Sequence, residues 1–117
     1  MSLVHGVDVV NISRFGEVLE RKGSGFLARV FTAREIVCCD STCSRARLFA
    51  AKEAVLKGLG SGLSQGVGWH DIEILPGSGN SPEVFLSGAA LDLLGDRNIS
   101  ISLSSSGDDA VALAVIS

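Results

Sequence analysis

Three charged side chains interrupt the stretch "RLFAAKEAVLKGLGSG", residues 47–62, whose opening otherwise consists largely of apolar helix formers. Two of the three, Glu53 and Lys57, share one side of a helical wheel drawn at about 100° per residue, opposite the apolar stripe that includes Leu48. This spacing is compatible with a solvated i,i+4 surface pair. It is also compatible with a site where a carboxylate and an ammonium meet a phosphate and its metal ion.

Lys52, the third charged residue, lies within the apolar stripe, about 40° from Leu48 on the same wheel. A lysine at such a position must either extend its ammonium to solvent or bond it to an anion, because burial of a bare charge is costly. The sequence leaves both interpretations open.

A second costly charge is Asp8, which has valines on both sides in the apolar segment "GVDVV". An aspartate there needs an ion pair, a hydrogen bond or a cation. Asp8 and Glu53 with Lys57 nearby would suit Mg²⁺ shared with phosphate oxygens, because Mg²⁺ in proteins is typically held by one or two carboxylates plus substrate phosphates. The glycine-rich segment 58–62 adds only weak support, since it follows the helix and phosphates bind where such a loop precedes one.

The composition limits the class of protein. The chain has 117 residues, 46% of them hydrophobic and 20% charged, as expected of one folded domain rather than a disordered chain. Its 10 basic and 13 acidic residues give a net charge of −3, which argues against a general nucleic-acid binder. No apolar run approaches the roughly 20 residues of a membrane-spanning helix, and the first residues lack the pattern of a secretory signal. We therefore expect a cytoplasmic protein.

The three cysteines fit that location. Cys38, Cys39 and Cys43 lack the paired C-x₂-C spacing of common zinc sites, and His5 and His70 lie far from them in sequence. We interpret the cysteines as reduced thiols rather than metal ligands.

Periodicity and capping signals predict one α+β domain, residues 1–117, in which a largely antiparallel sheet packs with one long and several short helices. The predicted strands are "LVHGVDVVNI" and two hairpins, "WHDIEILP" with "PEVFLS" and "ISISLSSS" with "AVALAVIS". The predicted helices are one capped by Ser13 and stopped by Gly23, one opened by a capping box from Thr32 to Glu35, the long helix from Thr42 or Ser44 to Gly58 or Gly60, and a short one closed by Gly95.

The segments "GVDVVNISRF" and "FAAKEAVLKGLGSG" together resemble two motifs of the holo-acyl-carrier-protein synthases, the short class of 4′-phosphopantetheinyl transferases. The first resembles G-[IV]-D-[IV]-x-x-I-x-R, and the second resembles [FW]-A-x-K-E-A-x-x-K. "FTAREI" and "WHDIEI" resemble two further family segments, so the similarity extends over nearly the whole chain in the family's order.

The resemblance implies an enzyme that transfers the phosphopantetheine arm of coenzyme A to a serine of an apo acyl carrier protein and releases 3′,5′-ADP. It implies that Asp8 and Glu53 bind Mg²⁺ and that Lys57 contacts phosphate oxygens. Glu53, directly or through a water, is the candidate base for the partner's serine. The residues implied in binding coenzyme A, besides Lys57, are Gly60, Ser61, Gly62, Arg47 and Ser105.

The family also implies a fold and an assembly. The fold is that of the 4′-phosphopantetheinyl transferases, and members of this size resemble one another in being homotrimers with each site between two protomers. The first helix would offer Arg14, Arg21 and Lys22 to an acidic carrier protein; without the resemblance these side chains would be interpreted as merely solvated. The implied setting is lipid metabolism, with a carrier of fatty-acid or secondary-metabolite synthesis.

Two positions depart from the family pattern. Many members have an arginine immediately before [FW]-A-x-K-E-A, where this chain has Leu48, with Arg47 one residue earlier. Many members have a histidine in the late strand, where this chain has Ser105. A one-residue shift rotates a side chain by about 100°, so the departures bring into question the contact with the 3′-phosphate of coenzyme A rather than the chemistry at the metal.

Two other classes of function remain open. A non-catalytic module of the same fold would bind carrier proteins or coenzyme A, but it would not need Asp8, Glu53 and Lys57. A different enzyme of coenzyme A, such as an acyltransferase, would need a nucleophile and a base, and no Cys–His or Ser–His pairing is evident in the sequence.

Overall fold

A computed structural model describes residues 3–60, 65–77 and 81–117. Within these residues the strands are β1 (Val4–Asn11), β2 (Ile72–Leu75), β3 (Glu83–Leu86), β4 (Ile99–Ser106) and β5 (Asp109–Ile116). The helices are α1 (Ile12–Val30), α2 (Ala33–Cys38), α3 (Thr42–Leu59) and α4 (Gly88–Leu94). None of the helices in this part of the chain is long and apolar enough to cross a bilayer.

The strands form two antiparallel sheets. One has the order β1-β5-β4, and the other pairs β2 with β3. Both predicted hairpins are therefore confirmed, and so is the antiparallel α+β class. The predicted strand "WHDIEILP" is shorter than expected, because Trp69–Asp71 form a single 3₁₀ turn before β2 begins.

Helix α1 differs from its prediction at its start. It begins at Ile12, and Asn11 rather than Ser13 caps it, because the Asn11 side chain accepts a hydrogen bond from the Arg14 amide at 2.9 Å.

The predicted stop of the first helix at Gly23 is confirmed. Gly23, with φ of 69° and ψ of −158°, is non-helical and ends the first segment of α1, and a second helical segment, which was not predicted, continues to Val30. Glycine adopts this backbone conformation at little cost, so the chain can change direction there. The segment after the break stays helical because Phe26 and Val30 pack into the core.

The other two central helices follow their capping signals. The Thr32 amide donates to Glu35 Oε1 at 2.8 Å and the Glu35 amide donates to Thr32 Oγ1 at 3.2 Å, so the predicted capping box forms at α2. Helix α3 is capped by Ser41, one residue before the predicted range, and ends at Gly60, whose φ is 106°.

The core lies between α3 and one face of the three-stranded sheet. Strand β5 contributes small side chains at alternate positions, and α3 contributes a matching set of alanines, all of them fully buried: Ala110, Ala112, Ala114, Ala46, Ala50, Ala51 and Ala54. Small side chains on both surfaces let the helix approach the sheet closely.

The closest approach is at Gly6 of β1. A Cβ atom there would collide with the Ala54 carbonyl oxygen and would lie 2.6 Å from the Gly58 amide nitrogen. Both atoms belong to the backbone of α3, which cannot move aside as a flexible side chain can. The contact therefore fixes where β1 crosses α3.

Lys52 meets an anion inside the core, which resolves the two interpretations of its position. The side chain is fully buried, and its ammonium donates to Glu35 Oε1 at 2.6 Å and to the Val30 carbonyl oxygen at 2.7 Å. It also lies 5.6 Å from the centroid of the Phe31 ring. Burial lowers the pKa of Lys52, and the hydrogen bond and charge of Glu35 offset part of that effect.

Glu35 extends this pair to two further elements. Its Oε1 closes the capping box of α2, and its Oε2 accepts a hydrogen bond from the Ile74 amide of β2 at 2.8 Å. One buried carboxylate thus connects α2, α3 and β2. A more exposed extension runs from Thr32 Oγ1 to Glu73 Oε2 at 2.6 Å and from Glu73 Oε1 to Arg34 at 3.2 Å.

We expect Gly6→Ala to lower the free energy of unfolding by about 3 kcal/mol, because the added methyl group forces two backbones apart. Urea unfolding of the purified variant measures this. Gly25→Ala is the matched control, since no atom lies within 4 Å of the added Cβ there. A Gly6→Ala protein as stable as the Gly25→Ala protein would contradict the close contact.

Candidate active site

Asp8 follows Gly6 by two residues on β1, so its side chain points to the same face of the sheet, toward α3. The Asp8 side chain is 12% exposed, and its Oδ1 accepts a hydrogen bond from the Lys57 ammonium at 2.6 Å. Lys57 also donates to the Val7 carbonyl oxygen at 3.2 Å. The structure therefore brings together two of the residues that the sequence placed at a metal and phosphate site.

Lys57 differs from Lys52 in its surroundings. Its side chain is 54% exposed, and the hydrogen bond to Asp8 raises the pKa of its ammonium. An ammonium has three N–H donors, and among the described residues Asp8 and the Val7 carbonyl oxygen accept two of them. No described residue accepts a hydrogen bond from the third donor.

Glu53 completes the group. Burial raises the pKa of its carboxyl, the negative charge of Asp8 raises it further, and the positive charge of Lys57 lowers it. In the part of the chain that the structure describes, Glu53 and Lys57 form no salt bridge with each other. The i,i+4 surface pair is thus not what this spacing produces, because Lys57 bonds across to β1 instead.

The chemistry of this donor set fits a small divalent cation. The negative charge of Asp8 raises the pKa of the Glu53 carboxyl, which shows that the two carboxylates repel each other. A cation bound by both would offset this repulsion. Within the described ranges no three His, Cys, Asp or Glu side chains gather into a metal cluster. Mg²⁺ does not require one, since it is commonly held by one or two carboxylates plus substrate phosphates and water.

A cavity of about 520 Å³ lies between α2, the first half of α3, β2 and β4. Leu48, Ile74, Leu75 and Leu103 make much of its wall apolar, and Arg47 is the charged side chain among its described lining residues. Its size lies within the usual range of small-molecule sites. The arrangement suits a ligand with a flat apolar part and a negative charge.

The one-residue shift of the arginine has a clear structural result. Leu48 points into the core, where it is 3% exposed, and Arg47 lies on the cavity wall. Arg47 Nη1 donates to Ser105 Oγ at 3.4 Å. The two residues that the sequence assigned to the nucleotide end of coenzyme A therefore lie together.

The remaining predicted site residues are distributed as follows. Arg14, Arg21 and Lys22 are exposed on the part of α1 before the Gly23 break, and the Lys22 ammonium lies 5.6 Å from the centroid of the Phe26 ring. Gly60 is the C-cap of α3. Ser61 and Gly62 lie outside the described residues.

Sequence reasoning missed Glu35 as the partner of Lys52 and missed the cavity walls around Cys38 and Pro82. The sequence did contain a signal for the Lys52–Glu35 pair. A lysine in an apolar stripe requires an anion, and Glu35 was predicted at the start of a nearby helix. No local signal marked the cavity, whose walls come from segments far apart in the chain.

A family model described as the 4'-phosphopantetheinyl transferase superfamily matches residues 5–115. The chain belongs to this family. It is 46% identical to a holo-[acyl-carrier-protein] synthase of Desulforudis audaxviator, over 98% of this chain and 92% of that protein. Family membership and the resemblance stated from the motifs are thus confirmed.

Solved structures agree with the fold. Helicobacter pylori holo-[acyl-carrier-protein] synthase in complex with coenzyme A matches with a TM-score of 0.87 at 34% identity, over 97% of this chain and 99% of that chain. A Chronobacterium ammoniagenes complex with coenzyme A matches with a TM-score of 0.84 at 30% identity, over 100% of this chain and 98% of that chain.

Proposed function

We propose that this protein transfers the 4′-phosphopantetheine arm of coenzyme A to a serine hydroxyl of an apo acyl carrier protein and releases 3′,5′-ADP. The observation that carries the proposal is the ion pair of Asp8 and Lys57 at 2.6 Å at the crossing of β1 and α3, with Glu53 near enough for both charges to affect its pKa. The similarity to holo-[acyl-carrier-protein] synthases, including structures in complex with coenzyme A, supports the same activity.

In the proposed reaction the serine oxygen attacks the phosphorus that carries the pantetheine arm. The new O–P bond forms as the pyrophosphate bond breaks, and 3′,5′-ADP leaves with the electron pair. Glu53, whose pKa is raised by burial, accepts the serine proton. Lys57 donates to phosphate oxygens and offsets the charge that develops on the leaving group.

Asp8 and Glu53 are the residues that would hold Mg²⁺. When bound there, the cation would neutralise pyrophosphate charge that the single ammonium of Lys57 cannot balance alone. Because Lys57 donates to Asp8 Oδ1 at 2.6 Å, its ammonium would lie beside the cation and the phosphate oxygens that the cation shares.

The nucleotide end of coenzyme A is proposed to occupy the cavity beside Arg47. Its apolar wall would take the adenine, and the Arg47 guanidinium, next to Ser105, would pair with a phosphate. Gly60, Ser61 and Gly62 follow the end of α3 in the sequence, three to five residues after Lys57, and are proposed to contact the pyrophosphate.

The carrier protein is proposed to dock on α1. Arg14, Arg21 and Lys22 are exposed there and would meet acidic side chains of the partner. We further propose that residues 1–117 form one domain, that the protein is cytoplasmic, and that its carrier serves fatty-acid or secondary-metabolite synthesis.

The active assembly is proposed to be a homotrimer. Val7, Val9 and Leu113 lie on the face of the sheet opposite α3 and are 51%, 58% and 37% exposed, and Val7 pairs directly with Leu113. An apolar stripe of this kind supports an interface with further copies of the chain. In that arrangement each site would lie between two protomers.

The alternative is a non-catalytic module that binds carrier proteins or coenzyme A. Such a module would have no use for two crowded carboxylates beside a lysine, so the geometry at β1 and α3 favours the transferase.

Incubation with coenzyme A, Mg²⁺ and an apo acyl carrier protein should raise the mass of the carrier by one phosphopantetheine arm, and EDTA should stop this.

In the same assay Lys57→Ala should lower turnover by about 10²–10³-fold with little change in unfolding free energy, because the lost group neutralises charge in the transition state. Lys57→Arg is the charge-keeping control. Transfer that persists after thorough metal removal would rule out the Mg²⁺ role, and normal turnover of Lys57→Ala would leave this side of α3 as a solvated surface.

Light scattering should give three times the chain mass for the wild type and a smaller mass for Leu113→Asp, because a carboxylate cannot be buried unpaired at an apolar interface. Leu91→Asp is the matched control, since Leu91 is 48% exposed on α4, away from the sheet. A fully active wild-type monomer would disprove the trimer.

Arg14→Glu should weaken carrier binding and reduce the dependence of that binding on salt, because it replaces an attractive charge by a repulsive one. Titration of the carrier at several salt concentrations measures both. Arg34→Glu on α2 is the control with the same change in charge, and it should have a small effect. An equal loss of coenzyme A binding in Arg14→Glu would assign this residue to the substrate site or the fold instead.

A further inference from the structure

The buried pair of Lys52 and Glu35 joins three elements that form walls of the cavity. Lys52 belongs to α3, Glu35 belongs to α2, and Glu35 Oε2 accepts from the Ile74 amide of β2 at 2.8 Å. Ile74 itself lines the cavity, as do Arg47 and Leu48 on the other wall.

Apart from the packing of Ile72 and Ile74 into the core, the hydrogen bond to Glu35 is what connects β2 to α3 through Lys52. Among the described strands β2 pairs only with β3, so no backbone ladder joins it to the sheet on which α3 packs. A two-stranded sheet is marginally stable by itself. Apolar packing supplies attraction but little direction, whereas a buried hydrogen bond to a backbone amide fixes both position and register.

Lys52 does not itself reach a ligand. Its side chain is fully buried, and its ammonium donates to Glu35 and to the Val30 carbonyl oxygen. Its influence on ligand binding must therefore pass through Glu35 to the walls of the cavity.

We propose that the Lys52–Glu35 pair is the positioning device of the nucleotide cavity, holding β2 at the distance from α3 that the nucleotide end of coenzyme A requires. The inference rests on the proposed function, in which that end occupies the cavity. It assigns Lys52 as a positioning residue for coenzyme A affinity, distinct from Lys57, which acts at the reacting phosphate.

Calorimetric titration with 3′,5′-ADP tests the inference on three variants of the full-length protein: Lys52→Met, Glu35→Gln and the double variant. Lys52→Met leaves the Glu35 carboxylate buried without its cation and should lower the thermal midpoint. The double variant removes both charges and should regain most of that loss. The Thr32 and Ile74 amides donate to different oxygens of Glu35, and glutamine has an NH₂ group in place of one of them, so one of the two bonds is lost and the connection stays weakened.

The double variant should therefore remain folded but bind 3′,5′-ADP with a Kd about tenfold higher than the wild type, as expected when a binding wall is displaced. Its KM for coenzyme A should rise similarly, while kcat at saturating coenzyme A should change by less than about threefold. Arg34→Ala, which removes the exposed end of the same network, is the control and should change neither constant.

A double variant that regains stability and binds 3′,5′-ADP like the wild type would overturn the inference, since the pair would then serve stability alone. A fall in kcat at unchanged KM would overturn it as well, by placing the pair at the reacting group. If the wild type binds no 3′,5′-ADP, the proposed function fails first. If the double variant does not fold, the same constants for Glu35→Gln decide between these outcomes.

Discussion

The fully buried ion pair between Lys52 and Glu35 is the interaction on which the arrangement of α2, α3 and β2 depends. Pairs of this kind often contribute little net stability, because the cost of removing two charges from water rivals their attraction, and apolar replacements can be as stable. What the pair supplies is a fixed relative position of the elements. Its hydrogen bonds join particular atoms of α1, α2, α3 and β2, and a packing that broke them would leave a buried charge without a partner.

The second constraint is the contact of backbone with backbone at Gly6 and Gly58. Here no side chain separates β1 from α3, so the two elements cross at the shortest distance that their main chains allow. Asp8 is two residues beyond this crossing and Glu53 is one residue before Ala54, so the close crossing brings Asp8 near enough for its charge to raise the pKa of Glu53. The buried pair fixes α3 relative to α2 and β2, and the glycine contact fixes α3 relative to β1.

The parts of this fold that were predictable from sequence are those that depend on neighbouring residues. The capping box of Thr32 and Glu35, the two hairpins and the extent of α3 are local features, and the sequence signals for them were sufficient. The second helical segment of α1, after the stop at Gly23, was not predictable locally, because Phe26 and Val30 pack against core residues that are distant in the sequence.

The candidate site shows the same limit. The wheel placed Lys52 in an apolar stripe and so required an anion, but the identity of that anion is a tertiary fact: Glu35 lies 17 residues away in sequence. In the same way, the spacing of Glu53 and Lys57 allowed a surface pair, and only the crossing of β1 shows that Lys57 bonds to Asp8. The position of Arg47 beside Ser105 likewise depends on β4 reaching the cavity.

The two lysines of α3 show how one helix can contribute both to the core and to the candidate site. They are five residues apart, which places them about 140° apart around the helix. On one side burial lowers the pKa of Lys52, and its charge is held by Glu35. On the other side Lys57 is half exposed, and its hydrogen bond to Asp8 raises its pKa, so its ammonium stays charged at the candidate site. A helix is rigid over five residues, so the buried pair that orients α3 at Lys52 also sets the direction in which Lys57 points. The geometry of the candidate site therefore depends on a buried charge that does not itself reach a ligand.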